Sequence, residues 1–487
     1  MRKKLLVVLA GGVFLAFTAF KGGDKKWERH FQKIDSEVDK HSRAYQTLAE
    51  ATGTIGHRLT GSPNGQRAED FAFKLLKSYG FTDVIYQPFT VDSWMRDTVT
   101  LSIAPSSSDN FRDIPVVSLA HSPVDASLQG EIVDVGNGLE EDFEAAKHKL
   151  KGKIALANIG LVGVSGKKNL HRSEKTALAI KYGAEGIIMV NGAPGNILLT
   201  GTASVTGAII SIPAVNISSN SGIELREWIK EEGPLEAQIE MHNLSKPIKA
   251  RNVIATIKGK SDEKIIIGGH LDSWDLSTGA IDNGIGSFAV MDIARTFRKL
   301  KIRPERTIQF VLFMGEEQGL LGSKHFVNEL KKSGEIEKVS YMMNLDMTNN
   351  PKGINIFGRN EMSAFFEPIG QAITKVYPEY KNETSNRAGL HSDHQPFMLE
   401  GVPIAGLSGH LEKSVLDCYH ADCDDMELVN EAELKNTVRV AAMYLYALST
   451  APRIPVKKLS DTKTKEFLIG QGLKQELIIG QEWRWAQ

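Results

Sequence analysis

The chain has 487 residues, which is long enough for two or three domains with large hydrophobic cores. Its 58 Lys and Arg residues almost balance its 59 Asp and Glu residues, and its pI is about 6.9. Nucleic acids and anionic membrane surfaces bind strongly basic proteins, so this balance excludes neither class outright but disfavours both as partners.

The first 20 residues have the pattern of an export signal. Basic residues at 2–4 precede an apolar stretch that ends at Phe20. A membrane-spanning helix needs roughly 20 apolar residues, and this stretch is shorter, so a cleaved signal peptide is favoured over a retained anchor. We therefore expect an exported protein, periplasmic or extracellular, without stable membrane insertion.

The next part of the chain, residues 30–121, is predicted to begin the main domain. Apolar residues recur at helical spacing over 64–79, and helices are expected over 44–79. Residues 122–245 then change to short apolar runs punctuated by glycine, interrupted by one helical stretch at 173–182. This pattern predicts a separate β-rich insert that acts as a scaffold or lid, because it contains no evident cluster of ligands.

Residues 246–450 alternate between strand and helix patterns. Helices are predicted at 287–300 and 319–332, and strands at 252–257, 264–269, 307–314, 339–345, 354–357 and 404–407. This alternation predicts a three-layer α/β/α domain with a mostly parallel mixed sheet, whose ligands collect at the carboxyl ends of the strands. Residues 451–487 form a C-terminal extension, which we expect to pack on this domain or on a partner subunit.

Acidic and imidazole side chains lie at the ends of these predicted strands and in the adjoining loops. Alone, each has a structural explanation; together, two imidazoles and three carboxylates suit a pair of zinc ions with one bridging carboxylate. Such a pair lowers the pKa of a shared water toward about 7, and a further glutamate can accept the water proton. The five candidate ligands are His270, Asp282, Glu317, Asp346 and His420. Glu316 is the further glutamate, and Asp272 is a carboxylate beside His270.

The arrangement resembles the M28 family of zinc exopeptidases over roughly residues 44–450. The insert is similar to a protease-associated domain, and the segment 269–275 is similar to the carboxypeptidase Q-like branch. The motifs that carry the resemblance are His270-Leu271-Asp272, Asp282-Asn283, Glu316-Glu317 with Gly319 and Gly322-Ser323, Asp346, His420, the segment 58–62 and the segment 392–397.

The resemblance implies two zinc ions per chain. It implies that Asp282 bridges the ions, that His270 and Asp346 complete one site, and that Glu317 and His420 complete the other. A cis peptide bond is implied between Asp282 and its neighbour Asn283.

The resemblance also implies the roles of two further residues and the reaction. Glu316 is the implied general base, and Asp272 is the implied partner of His270, whose far ring nitrogen it would hold. The expected reaction is hydrolysis of dipeptides or of terminal peptide bonds, as an aminopeptidase, dipeptidase or carboxypeptidase. The substrate is the expected partner, and a second copy of the chain is a candidate partner.

Two alternative functions stay open. A glutaminyl-cyclase-like transferase would use the same fold with a single zinc ion, but the β-rich insert argues against it. A non-enzymatic binding protein is disfavoured because no ligand of the metal set is missing.

Four further residues near His420 or the cleft need an interpretation. Cys418 and Cys423 bracket His420, and in an oxidising compartment we expect them to form a disulfide rather than remain thiols. His391 and His394 are expected to line the substrate cleft, since five ligands already suffice for the zinc pair.

Overall fold

The computed structural model describes residues 14–486, with side chains described from residue 27. Most of the predicted signal peptide, 1–20, lies outside the described part, and its cleavage stays a prediction. No helix among the described residues combines the length and hydropathy needed to cross a bilayer.

Helices and strands alternate along much of the chain. The helices are α1 (Phe14–His41), α2 (Ala44–Ile55), α3 (Pro63–Ser78), α4 (Glu140–Leu150), α5 (Arg172–Lys181), α6 (Ser219–Glu232), α7 (Ile285–Lys299), α8 (Leu321–Lys332), α9 (Ser363–Val376), α10 (His394–Leu399), α11 (Lys413–Leu416), α12 (Glu431–Thr450), α13 (Asp461–Gly470) and α14 (Lys474–Ile479). The strands are β1 (Val84–Pro105), β2 (Arg112–Asp113), β3 (Val117–Ser118), β4 (Asp125–Asp134), β5 (Ile154–Asn158), β6 (Gly186–Val190), β7 (Ala214–Ile217), β8 (Leu235–Ile257), β9 (Ser261–His270), β10 (Arg306–Phe313), β11 (Val339–Asn344), β12 (Gly353–Asn355), β13 (Glu383–Ser385) and β14 (Ile404–Ser408).

The main domain is built on a mixed sheet in the order β13-β12-β14-β11-β9-β10-β8, with β1 paired to β8. Strands β14, β11, β9 and β10 are mutually parallel, whereas β8 and β12 run antiparallel to their neighbours β10 and β14. The parallel strands are rich in β-branched and other apolar residues because both of their faces are covered. This confirms the predicted mostly parallel mixed sheet.

Helices cover both faces of this sheet. Helices α1, α2, α7, α9 and α12 contribute to the hydrophobic core on one face. Helices α8 and α10 pack on the other face together with the C-terminal helices α13 and α14. The three-layer α/β/α prediction is therefore confirmed, and the C-terminal extension packs on the catalytic part of its own chain.

One glycine brings two strand ends close together. A Cβ atom on Gly269 would lie 2.3 Å from the carbonyl oxygen of Leu345, so only glycine allows β9 to approach the chain that leaves β11. The next residue along each segment is a predicted ligand, His270 after Gly269 and Asp346 after Leu345. This close approach places the two side chains at the same edge of the sheet.

The β-rich insert grows out of a long antiparallel ribbon formed by β1 and β8. These strands pair from Val84 with Ala255 to Pro105 with Leu235, and a register shift interrupts the pairing between Arg96 and Thr98. Beyond that shift the ribbon joins β4 and the strands β5, β6, β7 and β3. The domain ranges 30–121, 122–245, 246–450 and 451–487 stay a prediction, because β1 and β8 pass from one unit into the other without a break.

Candidate metal centre

The five predicted metal ligands meet at the carboxyl edge of the parallel strands. His270 ends β9, Asp346 follows β11, and Glu317 follows β10. Asp282 lies in the helical turn that precedes α7, and His420 lies in the loop after α11. Parallel strands bring their carboxyl ends to a single edge, which explains how residues so far apart in sequence converge.

Asp282 lies between the two histidines. Its Oδ1 is 3.1 Å from Nε2 of His270, and its Oδ2 is 2.9 Å from Nε2 of His420. Each carboxylate oxygen therefore faces a different imidazole nitrogen, which is the arrangement that a bridging ligand requires.

Each histidine also faces a second carboxylate. Nε2 of His270 lies 3.4 Å from Oδ1 of Asp346, and Nε2 of His420 lies 3.0 Å from Oε2 of Glu317. The side chains group as His270 with Asp346 and His420 with Glu317, with Asp282 shared by both groups. The peptide bond between Asp282 and Asn283 is cis.

The two residues with other expected roles lie at the same edge. Atoms of Glu316 lie within 4.8 Å of ligand atoms of His270 and Asp346. Nδ1 of His270 is 3.1 Å from the carbonyl oxygen of Asp272 but 3.8 Å from its carboxylate, so the backbone is the closer acceptor. The Asp272 carboxylate instead accepts a hydrogen bond from the backbone N–H of Glu316 at 3.3 Å, which connects Asp272 to the position of the expected base.

The electrostatics of the cluster favour bound cations. Burial raises the pKa of Glu316 and of Glu317 well above the usual range, and nearby carboxylates add to the rise. Oε1 of Glu317 is buried without a hydrogen-bond partner among the described residues. Burial lowers the pKa of His420 to about 4, so its imidazole is neutral and can donate a lone pair. Buried carboxylates beside a neutral imidazole fit a divalent metal ion.

Two residues that the sequence analysis gave no role hold the backbone of the site. Asp424 accepts hydrogen bonds from the backbone N–H groups of Ile281 and Asp282, at 2.7 and 3.0 Å. The buried guanidinium of Arg58 donates to the carbonyl oxygens of residues 271, 278 and 279, at 2.5, 2.5 and 2.8 Å. Arg58 lies in the segment 58–62, and Asp424 directly follows Cys423. Only tertiary contacts reveal what the two side chains bind.

The insert reaches the metal centre directly. Nη2 of Arg172, the first residue of α5, lies 2.9 Å from Nδ1 of His420. The backbone N–H of Thr200 donates to the carbonyl oxygen of His420 at 3.0 Å. A Cβ atom on Gly201 would lie 1.9 Å from Nε of Arg172, so the glycine makes room for the guanidinium. The sequence analysis missed Arg172 because it assigned no site residue to the insert.

A cleft opens beside Glu316 and Glu317. The insert lines it through residues of α5 and of the loop 202–205, and the C-terminal extension lines it through Glu476 and Glu482. His391 also lines this cleft, as expected. Three separate parts of the chain thus enclose the space next to the expected base.

The two cysteines form a disulfide that closes the loop around His420. Its partners are Cys418 and Cys423, five residues apart. The predicted disulfide is therefore present, and it restricts the loop that carries a metal ligand.

The comparisons with known proteins agree with this geometry. Residues 252–445 match peptidase family M28, and residues 124–225 match the PA domain. The chain therefore contains a domain of peptidase family M28. This M28 peptidase is accordingly a metallopeptidase with an inserted PA domain.

Relatives of the M28 peptidase include enzymes named for action at opposite ends of peptides. Carboxypeptidase Q of Xenopus laevis is 26% identical over 414 residues, which cover 79% of this chain and 85% of the relative. Aminopeptidase YwaD of Bacillus subtilis is 26% identical over 484 residues, covering 96% and 99%. A crystal structure of a peptidase M28 precursor from Shewanella amazonensis superposes with a TM-score of 0.76 at 26% identity, covering 90% of this chain and 100% of that one.

Proposed function

We propose that this M28 peptidase is an exopeptidase that uses two zinc ions per chain to hydrolyse dipeptides or terminal peptide bonds. His270 and Asp346 would hold one ion, His420 and Glu317 would hold the other, and Asp282 would contribute a carboxylate oxygen to each. Imidazole and carboxylate are the donors that zinc takes in catalytic sites, which supports zinc over calcium or magnesium.

The observation that carries this proposal is the position of the Asp282 carboxylate. Its oxygens lie 3.1 and 2.9 Å from Nε2 of two different histidines, each of which faces its own second carboxylate. A site for one zinc ion needs three or four ligands and no bridging carboxylate. The duplicated arrangement therefore supports two ions and disfavours the single-zinc transferase alternative.

Glu316 is the proposed general base. When bound, two zinc ions polarise the scissile carbonyl group and acidify water at the site. Glu316 accepts the proton of the attacking water and passes it to the nitrogen of the leaving amine as the peptide bond breaks. Burial and neighbouring carboxylates raise the pKa of Glu316, and bound cations would favour the ionised form that accepts the proton.

The shape of the cleft supports action at chain ends. The insert on one side and the C-terminal extension on the other enclose the space next to Glu316, so the interior of a long peptide would have to pass between them. The relatives named carboxypeptidase Q and aminopeptidase YwaD are also named for terminal cleavage. Peptides with a free terminus near the scissile bond are the proposed substrates.

We also propose that the protein works outside the cytoplasm. The basic and apolar N-terminal sequence supports export, and the disulfide between Cys418 and Cys423 supports an oxidising compartment.

Substitution of the proposed base tests this function. In Glu316→Gln the amide cannot accept the water proton, so we expect kcat to fall about 10²- to 10⁴-fold, while zinc content stays at the parental level. The measurements are steady-state hydrolysis of dipeptides, aminoacyl anilides and N-acetylated dipeptides, and elemental analysis of dialysed protein.

A surface substitution provides the matched control. Glu305→Gln removes an exposed partner of Lys260 and should keep both the parental rate and the zinc content. Hydrolysis by Glu316→Gln at the parental rate would show that Glu316 is not the base, and a content of one zinc ion per chain would contradict the two-ion proposal.

A further inference from the structure

A second group of ligand-type side chains lies on the wall of the cleft, apart from the proposed catalytic pair. It consists of Glu174 from α5 of the insert, His391 from the loop before α10, and Glu476 from α14 of the C-terminal extension. Each residue places one potential ligand atom within 4.8 Å of the others. The group therefore joins three parts of the chain that are far apart in sequence.

Glu174 is the member whose surroundings demand a partner. Its side chain is only 1% exposed, and its Oε2 accepts a hydrogen bond from the backbone N–H of His171 at 2.7 Å. Its Oε1 is buried and has no hydrogen-bond partner among the described residues. That atom faces Nε2 of His391 at 3.7 Å, beyond hydrogen-bond distance. An unpaired buried carboxylate oxygen is costly, so a cation between the two atoms would stabilise the group.

The imidazole of His391 is suited to bind a metal ion but not to neutralise the negative charge of Glu174. The side chain of His391 is 40% exposed, and the pKa of its imidazole is lowered, first by partial burial and then by the Arg172 guanidinium, so the ring is neutral at physiological pH. Its ring stacks on that of His171, with centroids 4.6 Å apart. A neutral, oriented imidazole offers a lone pair and no charge to Glu174.

The spacing and the donor types select the ion. Two ligands at zinc distances of about 2.0–2.2 Å in a tetrahedral site lie about 3.4 Å apart, close to the 3.7 Å between His391 and Glu174. Calcium prefers oxygen ligands only, and magnesium retains water in place of imidazole. The combination of one imidazole and two carboxylates therefore favours zinc.

Lys168 neutralises part of the negative charge of this group. Nζ of Lys168 pairs with Oε1 of Glu476, whose side chain is 9% exposed, whereas the side chain of Lys168 is 55% exposed. A long, half-exposed lysine side chain can move into solvent at a small free-energy cost. Lys168 forms no ion pair with Glu174. Lys168 is thus a competitor for the position of an ion.

We infer that Glu174, His391 and Glu476 form a further zinc site, separate from the catalytic centre, which links the insert and the C-terminal extension to the catalytic domain at the mouth of the cleft. The inference concerns residues outside the proposed function and does not depend on it.

Elemental analysis of zinc-saturated, dialysed full-length protein tests the inference through differences between variants. Glu476→Gln and Glu174→Gln should each contain one zinc ion fewer per chain than the parent. The control is Glu482→Gln, which changes a cleft residue that pairs with Lys324 at 2.7 Å outside the group and should keep the parental content. Equal zinc content in Glu476→Gln and in the parent would overturn the inference, whatever number of ions the catalytic centre holds.

Removal of the competing lysine gives a second test at an exposed position where misfolding is not expected. In Lys168→Met the zinc affinity of the site should rise about fivefold, since an exposed ion pair contributes only modestly. Titration of zinc against a competing chelator measures this change. An affinity that stays equal or falls would show that Lys168 does not compete with an ion at Glu476, and would contradict the inferred site.

Discussion

At the scale of single residues, the position of the bridging carboxylate depends on a neighbour that binds no metal itself. Asp424 directs both of its carboxylate oxygens at the backbone N–H groups of Ile281 and Asp282. The backbone of Asp282 is thereby held while its side chain faces His270 and His420. Residues that orient metal ligands commonly affect affinity almost as strongly as the ligands themselves.

We expect Asp424→Ala to weaken zinc binding about 10- to 100-fold. Loss of both acceptors leaves two buried N–H groups unpaired, which lowers the free energy of unfolding by about 1–3 kcal/mol for each unpaired group. Zinc titration and urea denaturation measure the two effects. The control is Asp425→Ala, since Asp425 caps only the following short helix through Glu427; equal zinc affinities of the two variants would show that Asp424 does not orient the site.

Four of the five candidate ligands could be placed at one edge from the sequence, because each follows an apolar strand or lies beside a glycine-rich turn; His420, in the loop after α11, fits neither pattern. His270 and Asp346 end strands that the hydrophobic pattern identifies, and parallel strands share one carboxyl edge. Arg172 and Glu476 could not be predicted in this way. Arg172 reaches His420, and Glu476 reaches the cleft wall, only because of how the insert and the C-terminal extension pack. No local sequence pattern encodes this packing.

At the scale of elements, α5 connects the insert to both proposed metal sites. Arg172 at its start contacts His420, and Glu174, two residues further, belongs to the cleft-wall group. The same helix is fixed to the insert by Lys175, whose buried ammonium donates to the carbonyl oxygens of Asn158 and Ile159 at 2.7 and 2.9 Å. The helix is therefore anchored by a buried ammonium group that makes no ion pair with a carboxylate among the described residues.

This buried charge predicts a pH dependence of stability. Burial lowers the pKa of Lys175 from 10.5 to about 8 in the folded protein. Between these values the unfolded chain binds a proton that the folded chain does not, so the free energy of unfolding should rise with pH, by roughly 3 kcal/mol in total. Below pH 8 both states are protonated, and the contribution is constant.

Lys175→Met isolates this contribution from those of other titrating groups. The variant should be less stable than the parent at pH 10.5, and the difference should shrink toward pH 8, because only the parent loses stability as pH falls through that window. Guanidinium denaturation at several pH values provides the measurement. A difference that is independent of pH would show that Lys175 has an ordinary pKa.

At the scale of the whole molecule, the orientation of the insert is fixed where the long ribbon changes register. Arg96 makes a two-pronged ion pair with Asp275 of the catalytic domain, at 2.6 and 2.8 Å. It also donates to the carbonyl oxygen of Ser118 and to Oγ1 of Thr200 in the insert, at 2.7 and 2.6 Å. One guanidinium thus holds the insert against the domain that carries the metal ligands.

We expect Arg96→Met to lower kcat/KM roughly tenfold, equivalent to about 1.4 kcal/mol, with unchanged zinc content. The reason is that Arg172 and Thr200 are less firmly held against His420 once the insert is released. Arg112→Met is the control, because the exposed Arg112 contacts Glu224 at 3.7 Å and the ring of Trp228 but makes no ion pair with Asp275. Equal kcat/KM values for the two variants would contradict a role for insert orientation in catalysis.

The contact of Arg172 and Gly201 with His420 limits how such enzymes can be recombined. A chimera that receives the insert of a relative would keep its own disulfide-closed loop, and any side chain at position 201 would push the guanidinium onto the histidine. Transfer of substrate preference between relatives should therefore succeed only when the insert and the loop 418–424 are exchanged as a matched pair.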